Sequence, residues 1–250
     1  MLGPLMWCLV FDSLLDQLTS IDSCEPIAFA DDLVVVVTGS SRVQLELNGQ
    51  TAIRELEKWC ALHKMVLSQS KTVTMLLKGK LNQERPPRVF TSAGPIKFKT
   101  SFKYLGIMID RNFKFNSHPN YVAEKAKHLM QKYSKLCRLK WGVPYKKMST
   151  IYKGAFVPVI TYGSYAWIDQ TNDKTRRKII SAHRCALIRI TKSYKTTSTV
   201  ALEVLAGIQP ITHEIQIDKL RYCIRKQLPC HIYGKQYSTN EQDARSPWPS

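Results

Sequence analysis

The chain has 250 residues, with 37 Lys and Arg against 19 Asp and Glu, for a formal net charge of +18. That length accommodates one or two domains with a substantial core. A 44% apolar content with five Trp and eleven Tyr argues against disorder, and no apolar run reaches the ~18 residues of a membrane span. The charge is uneven. Residues 1–41 hold six acids (Asp12, Asp16, Asp22, Glu25, Asp31, Asp32) and no Lys or Arg, whereas the remainder carries all 37 basic residues and 13 acids, a net +24. No acid lies between Glu124 and Asp169 or between Asp173 and Glu203. Random mixing would intersperse the signs, so these runs point to a polyanion, with nucleic acid foremost. A merely solvated basic face is the bland alternative. The seven Cys are odd in number and form no C-x-x-C pair, which favours a reducing compartment. Cys8, Cys24, Cys60, Cys137 and Cys185 read as buried or half-buried thiols. Cys223, Cys230 and His231 have no fourth partner for zinc.

In chain order, Pro4 suits a first helical turn, and Leu5, Leu9, Leu14 and Leu18 recur near helical spacing, predicting a helix over 4–18. Ile27–Phe29 and Leu33–Val37 flank Asp31-Asp32 as a hairpin without the usual Gly at its turn. The run "LVVVV" predicts a strand covered on both faces. Ser41 followed by Gln44 forms a capping-box pattern, opening a helix to about His63. "VTMLL" (73–77) predicts a strand, and 78–88 a polar connector. Ile96–Phe98 and Tyr104–Ile109 read as a second hairpin. Beyond Ser117, Val122, Ala126, Leu129, Tyr133 and Leu136 make one apolar helical stripe, while Lys125, Lys132, Lys135 and Arg138 lie off it as a basic face. Further helices are expected near 146–166, 172–191 and 198–206, and the end of the chain is polar and expected to fray.

Two adjacent carboxylates at a hairpin tip are the sharpest chemical feature. Strands avoid Asp, and hard divalent cations take carboxylate oxygens together with substrate phosphates. The competing reading is a plain solvated turn. The surrounding string decides between them. "FADDLVVVVTG" (29–39) resembles motif C of reverse transcriptases, those of non-LTR (LINE-type) retrotransposons in particular. "LGPLMWCLVFDSLLDQL" (2–18) resembles the second half of motif B. "LSQSKTVTMLLKG" (67–79) resembles motif D, and "FKYLGIMID" (102–110) the motif E primer grip. "IYKGAFVPVITYGSYAW" (151–167) and "SYKTTSTVALEVLAGIQPI" (193–211) resemble the thumb and post-thumb of arthropod-type elements. The similarity covers roughly residues 1–212.

The resemblance implies an α+β fold: a partial polymerase palm of antiparallel hairpins plus helices over 1–118, then an all-α thumb over 119–212 and a tail over 213–250. It implies an RNA-directed DNA polymerase, transferring nucleotides from dNTP to a primer 3′-hydroxyl on an RNA template, with Mg²⁺ or Mn²⁺ as cofactor and no membrane partner. Asp31 matches the metal-binding carboxylate and Asp32 its neighbour. Phe29 fills the aromatic slot near the primer end, or is simple strand core. Lys71 matches the motif D lysine, a candidate general acid, or is an ordinary solvated lysine. Tyr104, Leu105 and Gly106 match the primer-grip turn, although Leu105 also suits plain core. Lys125, Lys132, Lys135 and Arg138 would meet phosphates. Tyr133, Trp141 and Tyr145 would stack on bases or pack internally. Members of the family carry a further metal-binding Asp in motif A, upstream of motif B, and this sequence opens within the motif B resemblance. The expectation is therefore a chain inactive, or nearly so, by itself, with a non-catalytic nucleic-acid-binding remnant as the alternative function.

Overall fold

The structure is a computed structural model that describes residues 2–79, 81, 84–136, 144–232 and 235–237. It divides into two compact units, Met1–Phe102 and Lys103–Ser250. The division falls earlier than the expected palm–thumb boundary at 118.

In the first unit, α1 (Gly3–Thr19) starts with Pro4 in its first turn and buries Phe11, Leu14 and Leu18. Leu5 and Leu9, expected on the same stripe, are 59% and 63% exposed. Antiparallel strands β1 (Cys24–Phe29) and β2 (Asp32–Val37) pair from Cys24 with Val37 to Phe29 with Asp32. The "LVVVV" strand is half-buried along its length, not covered on both faces, because only Leu33 and Val35 pack against the core. Helix α2 (Arg42–Leu62) begins as expected: the Gln44 N–H donates to Ser41 Oγ. The return arm goes to Ser40, whose N–H and hydroxyl both donate to Gln44 Oε1. Trp59 of α2 meets Phe11 edge-on at 5.7 Å and donates its indole N–H to Ser13 Oγ. These contacts join α1 and α2 into one core with Leu14, Leu18, Ala52 and Leu56.

The polar side of α2 holds the chain that follows. Glu46 accepts the Arg88 N–H, Gln50 pairs with both backbone groups of Phe90, and Glu57 accepts the Ser92 N–H. Strand β3 is only Val73–Thr74, shorter than the expected 73–77. Short strands β4 (Phe90–Thr91) and β5 (Gly94–Pro95) make a small hairpin. β6 (Lys97–Phe98) pairs in parallel with β3, so Ile96–Phe98 is not an arm of the second hairpin. That hairpin is β7 (Ser101–Tyr104) with β8 (Ile107–Asp110). The two-residue link Leu105-Gly106 sets the pairing, and the basic stretch before it does not.

The second unit is mainly helical. Helix α3 (His118–Leu136) buries Val122, Ala123, Ala126 and Met130, so its apolar stripe runs as expected until Tyr133, which is exposed. The helix expected over 146–166 is broken into α4 (Tyr145–Ile151), a π-helical turn (Tyr152–Phe156), α5 (Val157–Thr161) and α6 (Ser164–Trp167). Pro158 lies in the first turn of α5, and Gly163 takes a left-handed φ of +62° ahead of α6. Helices α7 (Asp173–Thr191) and α8 (Thr199–Leu205) are capped by Asn172 and Ser198. The segment expected as a tail opens inside α9 (Ile211–Lys226), which buries Ile211, Ile215, Lys219 and Cys223. Strands β9 (Cys230–Ile232) and β10 (Lys235–Tyr237) follow as a hairpin. Lys219 is 2% exposed and satisfied by Asp169 Oδ2 at 2.6 Å and the His231 carbonyl at 2.8 Å.

Two buried histidines tie this unit together. His183 Nδ1 meets the Tyr152 hydroxyl at 2.8 Å, and its Nε2 meets Glu203 Oε1 at 3.1 Å. His118 Nδ1 accepts the Met108 N–H at 3.2 Å, and its ring lies against Trp167. Burial lowers both histidines from 6.5 to about 4, because desolvation disfavours the charged ring. The unfolded chain therefore binds more protons than the folded one between those values, so stability is present above 6.5 and is lost as pH falls towards 4. We expect the urea midpoint, followed by far-ultraviolet circular dichroism, to fall across this window, and His183→Gln to flatten the fall.

Candidate metal turn and nucleic-acid interface

The first unit presents Asp31 at the apex of the β1–β2 hairpin. Because Phe29 pairs with Asp32, the turn is only Ala30-Asp31. Of these two, Ala30 alone is left-handed, at φ +53°, the II′ pattern that usually takes Gly. An L-residue there costs about 1–2 kcal/mol. Trp7 of α1 supplies a compensating contact: its indole N–H donates to the Ala30 carbonyl at 2.9 Å. Trp7 is itself stacked on Phe11 at 5.1 Å, so the brace is anchored in the core. A cavity of about 410 Å³ lies against the turn, lined by Gly3, Pro4, Trp7, Cys8, Ala30 and Asp31.

Asp31 and Asp32 are both exposed. Their oxygens are the hard donors that a divalent cation takes, its shell completed by water and phosphate. Among the described residues no third His, Cys, Asp or Glu joins them in a group able to hold an ion. Phe29 is 62% exposed, so its reading as strand core is wrong; the sheet has no third strand over that ring among the described residues. Lys71 is exposed in a turn where its N–H donates to the Ser68 carbonyl. No ion pair among the described residues includes Lys71, Asp31 or Asp32. Cys8, expected to be at least half-buried, is exposed beside the cavity.

The second unit carries the Tyr104-Leu105-Gly106 turn. Leu105 and Gly106 are both left-handed, at φ +44° and +87°, the I′ hairpin pattern. Leu105 is therefore a turn residue and only half-buried, not plain core. Tyr162 holds this turn. Its hydroxyl donates to the Leu105 carbonyl at 3.0 Å. Its ring lies so close that a Cβ on Gly106 would sit 3.0 Å from Tyr162 Cε1. The next residue, Gly163, would place a Cβ 2.6 Å from Ile107 Cδ1, so a side chain there would displace that methyl, and the φ of +62° itself favours Gly.

Beside the turn, Lys103 Nζ lies 5.2 Å above the Tyr121 ring. Lys103, helped by Lys125, draws the Tyr121 hydroxyl below its ordinary value. The exposed Lys103 and Lys125 thus form a positive patch next to the hairpin. Lys132 is exposed further along α3. The Lys135 side chain, Arg138 and Trp141 lie outside the described residues. Tyr145 donates its hydroxyl to the Ala206 carbonyl, which favours packing over stacking. Sequence reasoning missed Trp7, Lys103, Tyr121 and Tyr162. Three of the four lie inside strings it had matched to the family, yet nothing in the spacing marks their contacts.

Comparison with known proteins gives the family. Residues 1–109 match the family "Reverse transcriptase (RNA-dependent DNA polymerase)". The chain is 34% identical over 222 residues to a Retrovirus-related Pol polyprotein from type-1 retrotransposable element R1 4 of Nasonia vitripennis, covering 82% of this chain and 56% of that protein. It is 32% identical over 238 residues to a putative 115 kDa protein in type-1 retrotransposable element R1DM of Drosophila melanogaster, covering 93% and 23%. A probable RNA-directed DNA polymerase from transposon X-element of the same fly is 26% identical over 66% of this chain and 18% of that protein. No solved structure matches the chain. The chain thereby belongs to the reverse transcriptase family. Within it, the chain belongs among those of the arthropod R1-type non-LTR retrotransposable elements, spanning 56% and 23% of the first two relatives' own lengths.

The two aromatic braces can be tested by removing one donor at a time. Trp7→Phe and Tyr162→Phe each keep a ring and lose a hydrogen bond, at a cost of about 1 kcal/mol. Amide exchange is expected to accelerate at Asp31-Asp32 in the first variant and at Gly106-Ile107 in the second, each leaving the other turn unchanged.

Proposed function

We propose that the chain is the metal-turn and primer-grip portion of an RNA-directed DNA polymerase of an R1-type element. In this reading the polymerase joins a dNTP to a primer 3′-hydroxyl on an RNA template. The observation that carries it is the braced Ala30-Asp31 turn, which holds an exposed carboxylate pair beside an open cavity. Asp31 would hold a divalent metal ion, Mg²⁺ or Mn²⁺, with Asp32 supporting it. When bound, that ion supplies polarisation of the attacking and leaving oxygens. Phe29, exposed next to the turn, offers its ring to the primer end. Lys71 is the candidate donor of a proton to departing pyrophosphate.

The Tyr104-Leu105-Gly106 turn would grip the primer strand through its backbone, which Gly106 leaves accessible on the side away from Tyr162. Lys103, Lys125, Lys132, Lys135 and Arg138 would meet phosphates of the RNA–DNA duplex. Such contacts fix position and carry no sequence readout. The domains follow: a partial palm containing Asp31 and Lys71, and a helical thumb beginning near α3.

Binding of a fluorescein-labelled RNA–DNA hybrid to the chain tests the duplex reading. With about five phosphate contacts, log K should fall against log salt with a slope of about −4 to −5; affinity that ignores salt would sink the clamp. Mn²⁺ should broaden the amide resonances of Ala30 to Leu33, and Asp31→Asn should abolish that broadening while hybrid affinity holds. Primer extension by the chain, absent in Asp31→Asn, would show that it is catalytically competent by itself. Binding without extension would favour a non-catalytic role.

A further inference from the structure

Helix α9, in the segment expected to be a tail, carries a surface that neither the metal turn nor the primer grip uses. Tyr222 of α9 and Tyr165 of α6 lie against each other with ring centroids 4.9 Å apart and a tilt of 31°. They remain 37% and 39% exposed. More than a third of each residue's surface is therefore open to a ligand. The pair is held in place, because Ser164, next to Tyr165, donates its hydroxyl to Asp218 Oδ2 at 2.9 Å, one turn before Tyr222.

The charge around the pair is positive. Between Asp218 and Glu241 there is no acid, while Lys219, Arg221, Arg225, Lys226 and Lys235 are all cationic. It is an acid-free run like those over residues 125–168 and 174–202. Arg221, Arg225 and Lys226 are exposed, and Arg225 and Lys226 follow Tyr222 by one turn of the same helix. Asp218 accepts from Ser164, and Asp169 pairs with the buried Lys219. No ion pair among the described residues includes Arg221, Arg225 or Lys226. An open aromatic pair flanked by cations is the combination that holds unpaired nucleic acid, where bases stack on rings and phosphates meet Lys and Arg. A duplex hides its base faces, so this surface suits a single strand.

We propose that Tyr165 and Tyr222, with Arg221, Arg225 and Lys226, form a platform for unpaired RNA, separate from the surface that would meet the RNA–DNA duplex. The choice of RNA rests on the polymerase reading above, in which the template is RNA; the platform itself rests on the ring pair and its charge.

The test is fluorescence anisotropy of the whole chain with labelled U12, dT12 and an RNA–DNA hybrid. Tyr222→Ala and Tyr165→Ala should each weaken U12 binding on the order of tenfold. Tyr222→Phe should bind as the wild type does, since the ring is kept. Arg221→Gln with Arg225→Gln should flatten the salt slope for U12 by about 1.4. Hybrid binding should hold in every variant. Wild-type U12 affinity in Tyr222→Ala, or an equal loss for the hybrid, would overturn the platform. Tighter binding of dT12 than of U12 would overturn the assignment to RNA. Should an alanine variant lose its fold by circular dichroism, 4-thiouridine cross-linking of the wild-type chain decides. Cross-links in 165–167 or 221–226 support the platform, and cross-links confined elsewhere refute it. Failure of hybrid binding with U12 binding intact would strike only the duplex reading.

Discussion

A single kind of hydrogen bond recurs at two hairpin turns. In each hairpin a non-glycine residue, Ala30 or Leu105, occupies the left-handed region at the first central position. In each, the carbonyl of that residue accepts a hydrogen bond from an aromatic donor on a helix: Trp7 Nε1 at 2.9 Å or Tyr162 Oη at 3.0 Å. The left-handed conformation costs about 1–2 kcal/mol for an L-residue, and a hydrogen bond returns roughly 0.5–1.5 kcal/mol. The two are close enough that the brace decides whether the turn holds its shape. Glycine would remove the strain but would also let the turn wander, because it loses more freedom on folding. A strained residue with a remote donor gives a turn that is tight and stays where its helix puts it.

The braces reach the turns because of how the helices are seated. Trp7 is stacked on Phe11, Phe11 meets Trp59 edge-on, and Trp59 is bonded to Ser13. The position of the Asp31 turn is therefore set by the packing of α1 on α2, although neither helix carries a metal-binding carboxylate. Tyr162 stands at the end of α5, where the left-handed Gly163 turns the chain into α6. That corner lets Trp167 donate its indole N–H back to the Tyr162 carbonyl at 3.1 Å while the Tyr162 hydroxyl goes forward to Leu105. One tyrosine thus connects the helical core to the Leu105-Gly106 turn.

Much of this was legible in the sequence. Helix α1, the first hairpin, the Ser41 cap and the start of α3 follow from local signals, namely Pro placement, apolar runs around a polar pair, and side-chain capping. The carboxylate turn was legible because Asp-Asp before an apolar strand is hard to explain without a cation or solvent. What failed was non-local. Short β-runs such as 73–77 carry no information on partner or direction, so the parallel pairing of Val73–Thr74 with Lys97–Phe98 could not be anticipated. The half-burial of "LVVVV" depends on what covers the sheet, not on the strand. Helix α9 was missed because its core positions include Lys219, a residue that reads as solvent-facing until Asp169 and the His231 carbonyl are seen to hold its ammonium. The aromatic donors were invisible for the same reason: a Trp or Tyr on an apolar face reads as packing, and its polar edge is assigned only by a partner 23 or 57 residues away.

The charge asymmetry takes a more specific meaning from this. A surplus of cations in sequence becomes a binding surface only where the fold leaves them unpaired and groups them. Several of the basic residues here are not left open: Lys219 is buried in an ion pair, and Arg176 and Arg184 are half-buried as well as bonded to carbonyls. Some of those that remain exposed lie near aromatic rings, Lys103 and Lys125 at Tyr121, and Arg221, Arg225 and Lys226 beside Tyr222 in the sequence of α9. Rings beside cations do what a solvated charged face does not need to do, since they give bases or sugars an apolar surface to rest on while the phosphates are held. Aromatic–cation grouping, more than the total of +18, is what supports the proposed nucleic-acid surfaces of this chain.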